Sequence, residues 1–474
     1  MTKRTGGGGL STGTLAVMPI LRRRSVLPVP AAEAFAWHER VGALDRLTPP
    51  WAPVTVDQPP TSLAVGTRVI LRTGLGPIRP RWVAEHVVYD PPHEFRDVQR
   101  SGPFAVWDHR HRFEDLPGGR SALTDEVTYE LPLGRLGRLV AGRIVDRQID
   151  KMFAYRHQRT VADLTAHAAR QETTMKVAIT GASGMIGQAI SAFLTTGGHQ
   201  VLPMVRGEAG PGEIAWNPVG GTVDTDKLRG VDAVIHLAAE PIEPRPLTAE
   251  KRRRLRDSRI RGTGAIAAAL ATMQDGPRIL LSASGANWYG DRGDEILTED
   301  STAGTAGLLC DLARDWEDAT QPARDAGVRV VLMRTGIVLD RSATVLKALG
   351  TLTRLGGAAP LGTGQQYWPW VSMDDTVGMY HHALTTPAID GPFNVCSPNP
   401  VTNEAFTRTL AKVLHRPTLP IKVPRAVPSL LLRKELADSL LFTSLRLSPQ
   451  TALATGYSFS QPDLEGALRA LYGR

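Results

Sequence analysis

Cysteine is nearly absent from this chain: Cys310 and Cys396 are the only two in 474 residues and stand 86 positions apart. That spacing supplies neither a disulfide framework nor a paired zinc-ligand motif, and a reducing cytoplasmic setting fits it. Long apolar runs are missing too, since none reaches the roughly 18 residues that a membrane-spanning helix needs. Leu15–Ile20 is too short for the apolar core of a secretory signal and is followed by Arg22-Arg23-Arg24, so neither a leader nor a membrane span is expected. Charge of one sign is not concentrated: the formal net charge is +8, and residues 1–174, with 24 basic and 18 acidic side chains, hold +6 of it. The basic run Lys251-Arg252-Arg253-Arg254-Leu255-Arg256 has no interleaved aromatics, which argues for the solvated face of an amphipathic helix and against a nucleic-acid partner.

With a length beyond the usual limit of a single core, at least two domains are expected. Residues 1–17, with four consecutive glycines, are too poor in apolar groups to offset the entropy of ordering and read as a flexible tail. Residues 18–169 read as a first domain. In it Val65–Leu71, Arg81–Tyr89, Phe95–Arg100, Phe104–Phe113 and Ser121–Leu131 are β-branched and aromatic runs between Pro/Gly turns, which predicts an antiparallel meander. Trp82, Phe95, Phe104, Trp107 and Phe113 are its core candidates. A long helix is predicted over Gly137–Ala168, where Val145, Ile149, Met152 and Phe153 form one apolar stripe. Residues 170–174 form a short polar linker. From Met175 onward, apolar strands at 177–179, 201–205, 233–237, 279–282 and 328–333 alternate with helical stretches, the rhythm of a doubly wound parallel sheet.

The strongest chemical signal is the strand Lys176–Thr180 running into Gly181-Ala182-Ser183-Gly184-Met185-Ile186-Gly187. A glycine-rich turn that opens a helix lets backbone N–H groups approach a pyrophosphate at the positive helix end, so Gly181, Ser183, Gly184, Met185, Ile186 and Gly187 are candidate dinucleotide contacts. At the end of the second strand, where an acidic residue would bind the ribose hydroxyls of NAD, stands Arg206; it can pair with a 2′-phosphate, so NADP(H) is expected over NAD(H). His236, in the apolar strand at 233–237, reads either as a cofactor neighbour or as a satisfied interior histidine.

Two resemblances sharpen this outline. Val29–Phe35, Leu47–Trp51, Thr124–Tyr129 and Met152–His157 resemble the START/Bet v 1-type (SRPBCC) ligand-binding superfamily over about 150 residues. That resemblance implies an α+β helix-grip domain, an antiparallel sheet wrapped on a long C-terminal helix, with a cavity for an apolar small molecule. The G-x-x-G-x-x-G spacing resembles extended or atypical short-chain dehydrogenase/reductases, which implies an α/β Rossmann domain over residues 175–474. Trp216-Asn217-Pro218, Asp257–Thr263, Ser282-Ala283-Ser284, Trp288–Asp294, Arg314–Glu317, Arg334-Thr335-Gly336 and Trp368-Pro369-Trp370 are similar to the NAD-dependent epimerase/dehydratase-like group of epimerase family proteins. Residues 426–474 resemble that group's characteristic C-terminal segment. The resemblance also implies that Leu237, Ala238, Ala239 and Arg334 lie at the cofactor.

Mechanism is less directly written. Working reductases pair Tyr with Lys in Tyr-x-x-x-Lys, where lysine lowers the tyrosine pKa, yet none of the 8 tyrosines here has a lysine four residues on. The candidates that remain are Ser284 just past the fifth strand, Tyr289 five residues later, and Arg259 in place of the asparagine of an Asn-x-x-Gly-Thr stretch, where it can bind an anion or stabilise an enolate oxygen. Asp374-Asp375 read as helix-capping residues. Two functions follow: an NADP-dependent oxidoreductase or epimerase-like enzyme working on a small molecule received by the N-terminal cavity, or a non-catalytic NADP(H)-binding redox sensor.

Overall fold

The computed structural model describes residues 19–74, 79–169, 174–243 and 247–474; the expected tail at residues 1–17 and most of the expected linker lie outside them. The chain divides into two compact units. One holds the described residues up to Glu39 with Pro53–Val161, and the other holds Arg40–Ala52 with Ala162–Arg474. The short segment Arg40–Ala52 is held to the second unit by a charge pair: Arg46 donates two hydrogen bonds to Asp163, at 2.7 and 2.6 Å, with both side chains buried.

The first unit is a seven-stranded antiparallel sheet. Its strands are β1 (Ile20–Leu27), β2 (Val54–Gln58), β3 (Arg68–Thr73), β4 (Arg81–Asp90), β5 (Glu94–Ser101), β6 (Val106–Leu116) and β7 (Arg120–Glu130), in the order β1-β7-β6-β5-β4-β3-β2. Helix α1 (Ala31–Glu39) follows β1 and the long helix α3 (Arg135–Ala168) follows β7; α2 (Ala43–Leu47) and the end of α3 from Ala162 are counted with the second unit. Alternation along β6 buries Trp107, His109, His111 and Phe113 on one face. Ile149 and Phe153 of α3 join Trp107, Val127 and Tyr129 in one core, with Val145 and Met152 against it, so the apolar stripe read from sequence is buried as expected. The run expected to begin at Phe104 starts at Val106 instead. Gly102-Pro103 breaks the strand there, and the Gln99 side chain bonds the Phe104 backbone, donating to its carbonyl at 2.6 Å.

The second unit is built on an eight-stranded sheet. Its first strands are β8 (Lys176–Thr180), β9 (Gln200–Arg206), β10 (Ile214–Asn217), β11 (Thr222–Val223), β12 (Ala233–His236) and β13 (Ile279–Gly285). Their order is β11-β10-β9-β8-β12-β13, followed by strands Arg329–Thr335 and Gly391–Val395, and every pairing but β10–β11 is parallel. The strands are apolar on both faces because helices cover both. Val177 and Ile179 pack with Ile190 and Phe193 of α4 (Met185–Thr196), whereas Ala178 packs on the other side with Ile266 and Leu270 of α5 (Ala249–Thr272). The strand order reverses at β8, with β9 on one side of it and β12 on the other, and such sheets bind ligands at the carboxyl ends of the strands beside that reversal.

Candidate functional site

Each glycine of the turn after β8 has its own steric reason. Gly181 sits at φ +69°, and a Cβ there would stand 3.0 Å from the Ala238 nitrogen. Gly187 is buried in α4 against the turn, and a Cβ on it would overlap the Gly181 carbonyl and come within 2.8 Å of the Ala182 Cα. Gly184 is exposed, and among the described residues a Cβ on it would meet only the Gly181 carbonyl oxygen, at 3.2 Å. Gly184 is also the N-cap of α4 and offers no side-chain cap, so the first-turn N–H groups of Met185, Ile186 and Gly187 are left for a ligand. Ser183 is exposed beside them. The geometry fits a dinucleotide pyrophosphate: backbone donors at a helix N-terminus, with the side chains that would block approach removed.

The neighbouring wall is the end of β12. Thr180 Oγ accepts from the backbone N–H groups of Leu237 and Ala238, at 3.1 Å each, and therefore donates to His236 Nδ1 at 2.7 Å. His236 is fully buried, and burial pulls its pKa down to about 4. It is thus an interior histidine, bonded through Nδ1, whose buried Nε2 has no hydrogen-bond partner among the described residues. Leu237, Ala238 and Ala239 are half-buried at this edge, and Arg206 is exposed at the end of β9 with no hydrogen-bond or ion-pair partner among the described residues.

Arg259 lies on α5 with its guanidinium 4.8 Å from the Trp316 ring centroid. It donates to the backbone carbonyls of Glu240 (3.0 Å) and Leu255 (3.2 Å), while Ser258 Oγ accepts from the Glu240 N–H. Arg259 therefore clamps the loop that carries Ala238 and Ala239. No carboxylate stands within 4.0 Å of it among the described residues, and burial pulls its pKa down to about 10, which still leaves it charged at neutral pH.

Ser284 and Tyr289 belong to a buried polar network whose members come from five elements. Helix α6 (Leu308–Asp318) turns Leu309, Ala313 and Trp316 inward, and Glu317 lies on the same buried stripe. Glu317 receives two hydrogen bonds from Arg334, at 2.9 and 2.8 Å, and one from Ser284 at 2.6 Å. Ser284 and Arg334 are paired in register between β13 and the strand Arg329–Thr335, which sets their side chains side by side. Arg334 also donates to the Tyr289 hydroxyl at 3.0 Å and stacks 3.4 Å from the Trp288 ring centroid; Tyr289 in turn donates to Asn394 at 2.8 Å. Arg334 is only 2 % exposed and Tyr289 0 %. Burial pushes the Tyr289 phenol up to about 12, with Arg334 pulling the other way.

Glu317 and Asn394 have no role in the sequence reading, and they are the residues that close the network. The available signal was Glu317 itself, an acidic residue in phase with the apolar stripe of α6. Among the described residues Arg259 is not joined to Ser284 by any bond; α6 links them, carrying Trp316 and Glu317 next to each other. Asp375 serves as structure: the Ser372 hydroxyl caps helix Met373–Thr385, and the Asp375 carboxylate accepts from the Ser460 and Gln461 N–H groups at 2.6 and 3.0 Å.

Comparison with known proteins matches this layout. Family profiles match residues 27–153 to "Polyketide cyclase / dehydrase and lipid transport", residues 177–307 to the "NAD dependent epimerase/dehydratase family", and residues 423–471 to a domain of unknown function. An epimerase family protein of Mycobacterium bovis is 38% identical over 296 residues, covering 62% of this chain and 96% of the relative. A solved structure titled nucleoside-diphosphate sugar epimerase, from Corynebacterium glutamicum, is 32% identical with a TM-score of 0.78, covering 96% of this chain and 90% of its own. The human epimerase family protein crystallised with NADPH is 30% identical with a TM-score of 0.57, covering 63% of this chain and 99% of its own. Among the described residues no helix is long and apolar enough to cross a membrane. With its glycine turn, parallel sheet and C-terminal segment in place, the chain belongs to the epimerase family proteins of the short-chain dehydrogenase/reductase superfamily, an NAD(P)-binding group, and carries an SRPBCC-like domain in front.

Proposed function

We propose that the second unit is an NADP(H)-dependent oxidoreductase or epimerase-like enzyme for a small molecule, and that the first unit is a helix-grip domain whose cavity takes an apolar ligand. The observation that carries the reading is the glycine turn, in which Gly181 is crowded at a positive φ, Gly187 has no room for a Cβ and Gly184 leaves an uncapped helix end open. The unpaired Arg206 at the end of β9 supports NADP(H) over NAD(H), since a 2′-phosphate gives it a charge-assisted partner. The human relative crystallised with NADPH points the same way. When bound, the nicotinamide supplies a hydride donor or acceptor.

In this reading Gly181 to Gly187 hold the pyrophosphate, and Leu237, Ala238 and Ala239 form the wall beside it. Arg259 holds that wall through Glu240 and, having no carboxylate of its own, is available to a substrate anion. Ser284 Oγ is the proton-handling atom: a proton taken at this hydroxyl passes to the Glu317 carboxylate 2.6 Å away, whose orientation Arg334 fixes. Tyr289 and Asn394 position Arg334. A screen of carbonyl substrates that follows NADPH oxidation by the full chain tests the assignment. Ser284→Ala is expected to lower kcat at least 100-fold with cofactor affinity unchanged. Unchanged turnover in that variant removes Ser284 from the chemistry, and absence of turnover across the screen favours the redox-sensor function.

A further inference from the structure

The first unit contains a second polar cluster that the epimerase reading does not use. His109 and His111 alternate on β6 with Trp107 and Phe113, so two imidazoles project from a strand face that is otherwise aromatic. Asp97 stands opposite His109 in the β5–β6 register, and Asp125 stands opposite His111 in the β6–β7 register. His109, His111 and Asp125 are 3, 7 and 3 % exposed.

Each imidazole is placed between the two carboxylates. Asp97 Oδ1 lies 3.4 Å from His109 Nδ1 and 3.8 Å from His111 Nε2. The opposite ring nitrogens face Asp125 Oδ1, His111 Nδ1 at 2.8 Å and His109 Nε2 at 3.7 Å. His109 Nε2, His111 Nδ1 and Asp125 Oδ1 nevertheless make no hydrogen bond of adequate geometry. Those three atoms face one another, on the side of the rings away from Asp97, where His109 Nδ1 and His111 Nε2 are turned toward Asp97 Oδ1. The separations from Asp97 exceed a hydrogen bond. They approach the spacing of co-ligands, because donors about 2.1 Å from a tetrahedral metal ion stand about 3.4 Å apart. One ligand atom from each of Asp97, His109 and His111 falls within 4.8 Å of the others.

We propose that Asp97, His109 and His111 form a binding site for a divalent transition-metal ion, Zn²⁺ or Fe²⁺, inside the first unit. Two imidazoles and one carboxylate are a donor set those ions accept, and three ligands leave coordination positions open for water or for a heteroatom of a bound ligand. Asp125 completes the arrangement from behind. Metal-bound histidines donate their remaining ring N–H to a carboxylate, and Asp125 faces that nitrogen on both rings. Asp125 is itself held through its other oxygen by His157 Nε2 at 3.1 Å, and His157 Nδ1 by Ser25 Oγ at 2.9 Å.

The full chain, stripped with chelator and dialysed against Zn²⁺ or Co²⁺, is expected to retain one equivalent per chain by elemental analysis, with a visible ligand-field band for Co²⁺. His109→Gln and His111→Gln are expected to abolish stoichiometric retention, and Asp125→Asn, which touches no metal, to weaken it 10–100-fold. Circular dichroism checks that each variant is folded, and Asp97→Asn serves if a histidine variant is not. Failure of the unaltered protein to retain metal overturns the proposal whatever the variants do, and so does equal retention by folded ligand variants. Neither result bears on the nucleotide site of the second unit.

Discussion

Two buried polar clusters, one in each unit, contrast in how far they are closed. Around Arg334 every bond is short and direct: two to Glu317, one to Tyr289, and Ser284 and Asn394 attached at either end. Around His109 and His111 the carboxylates stand at 3.4 to 3.8 Å except for one contact at 2.8 Å, and three polar atoms find no bonding partner. A cluster that satisfies itself fixes a shape, and removing one member leaves a charge stranded. In the second cluster the proposed ion would be the partner that draws Asp97, His109 and His111 together.

The hardest way to break the contrast is at Glu317. Glu317→Ala strands a buried guanidinium and is expected to destabilise the second unit by about 3–5 kcal/mol in urea unfolding, with the companion change Arg334→Met restoring much of it. Acid provides the next effect. His236 is held neutral by burial, with its pKa lowered from 6.5 to about 4. Between those values the unfolded chain takes up a proton that the folded one refuses, so stability falls as pH drops, by about 3 kcal/mol in all. Urea midpoints measured from pH 7 to pH 4 should show this slope, and His236→Gln should flatten it. Gly187→Ala forces the turn away from the Gly181 carbonyl and should cost about 1–3 kcal/mol, together with at least a tenfold loss of NADPH affinity by calorimetry. The smallest effect is expected at the exposed rim: Arg206→Ala should weaken NADPH about tenfold, or about 1.4 kcal/mol, and leave NADH unchanged.

How much of this was legible in the sequence depended on whether the signal was local. The glycine turn announced itself because three glycines at a fixed spacing fall within seven residues, directly after an apolar strand. The parallel sheet was equally visible, since strands buried on both faces read as continuous apolar runs. The Arg334 network was not, because its members come from residues 284, 289, 317, 334 and 394 and meet only once the sheet sets Ser284 beside Arg334. Resemblance had singled out Ser284, Tyr289 and Arg334 separately; their connection through Glu317 is a tertiary fact. The histidine cluster was half legible. The alternation Trp107, His109, His111, Phe113 places the imidazoles on the core face of β6, but the carboxylates opposite depend on strand register, which composition does not specify.

The measurement that bears most directly on the account is a calorimetric titration of the full chain with NADPH and, separately, with NADH. The uncapped α4 terminus and the unpaired Arg206 predict one NADPH site per chain, with NADH binding at least tenfold more weakly, a gap of about 1.4 kcal/mol. Equal affinities would contradict the role given to Arg206, and absence of binding by either nucleotide would contradict the nucleotide site itself.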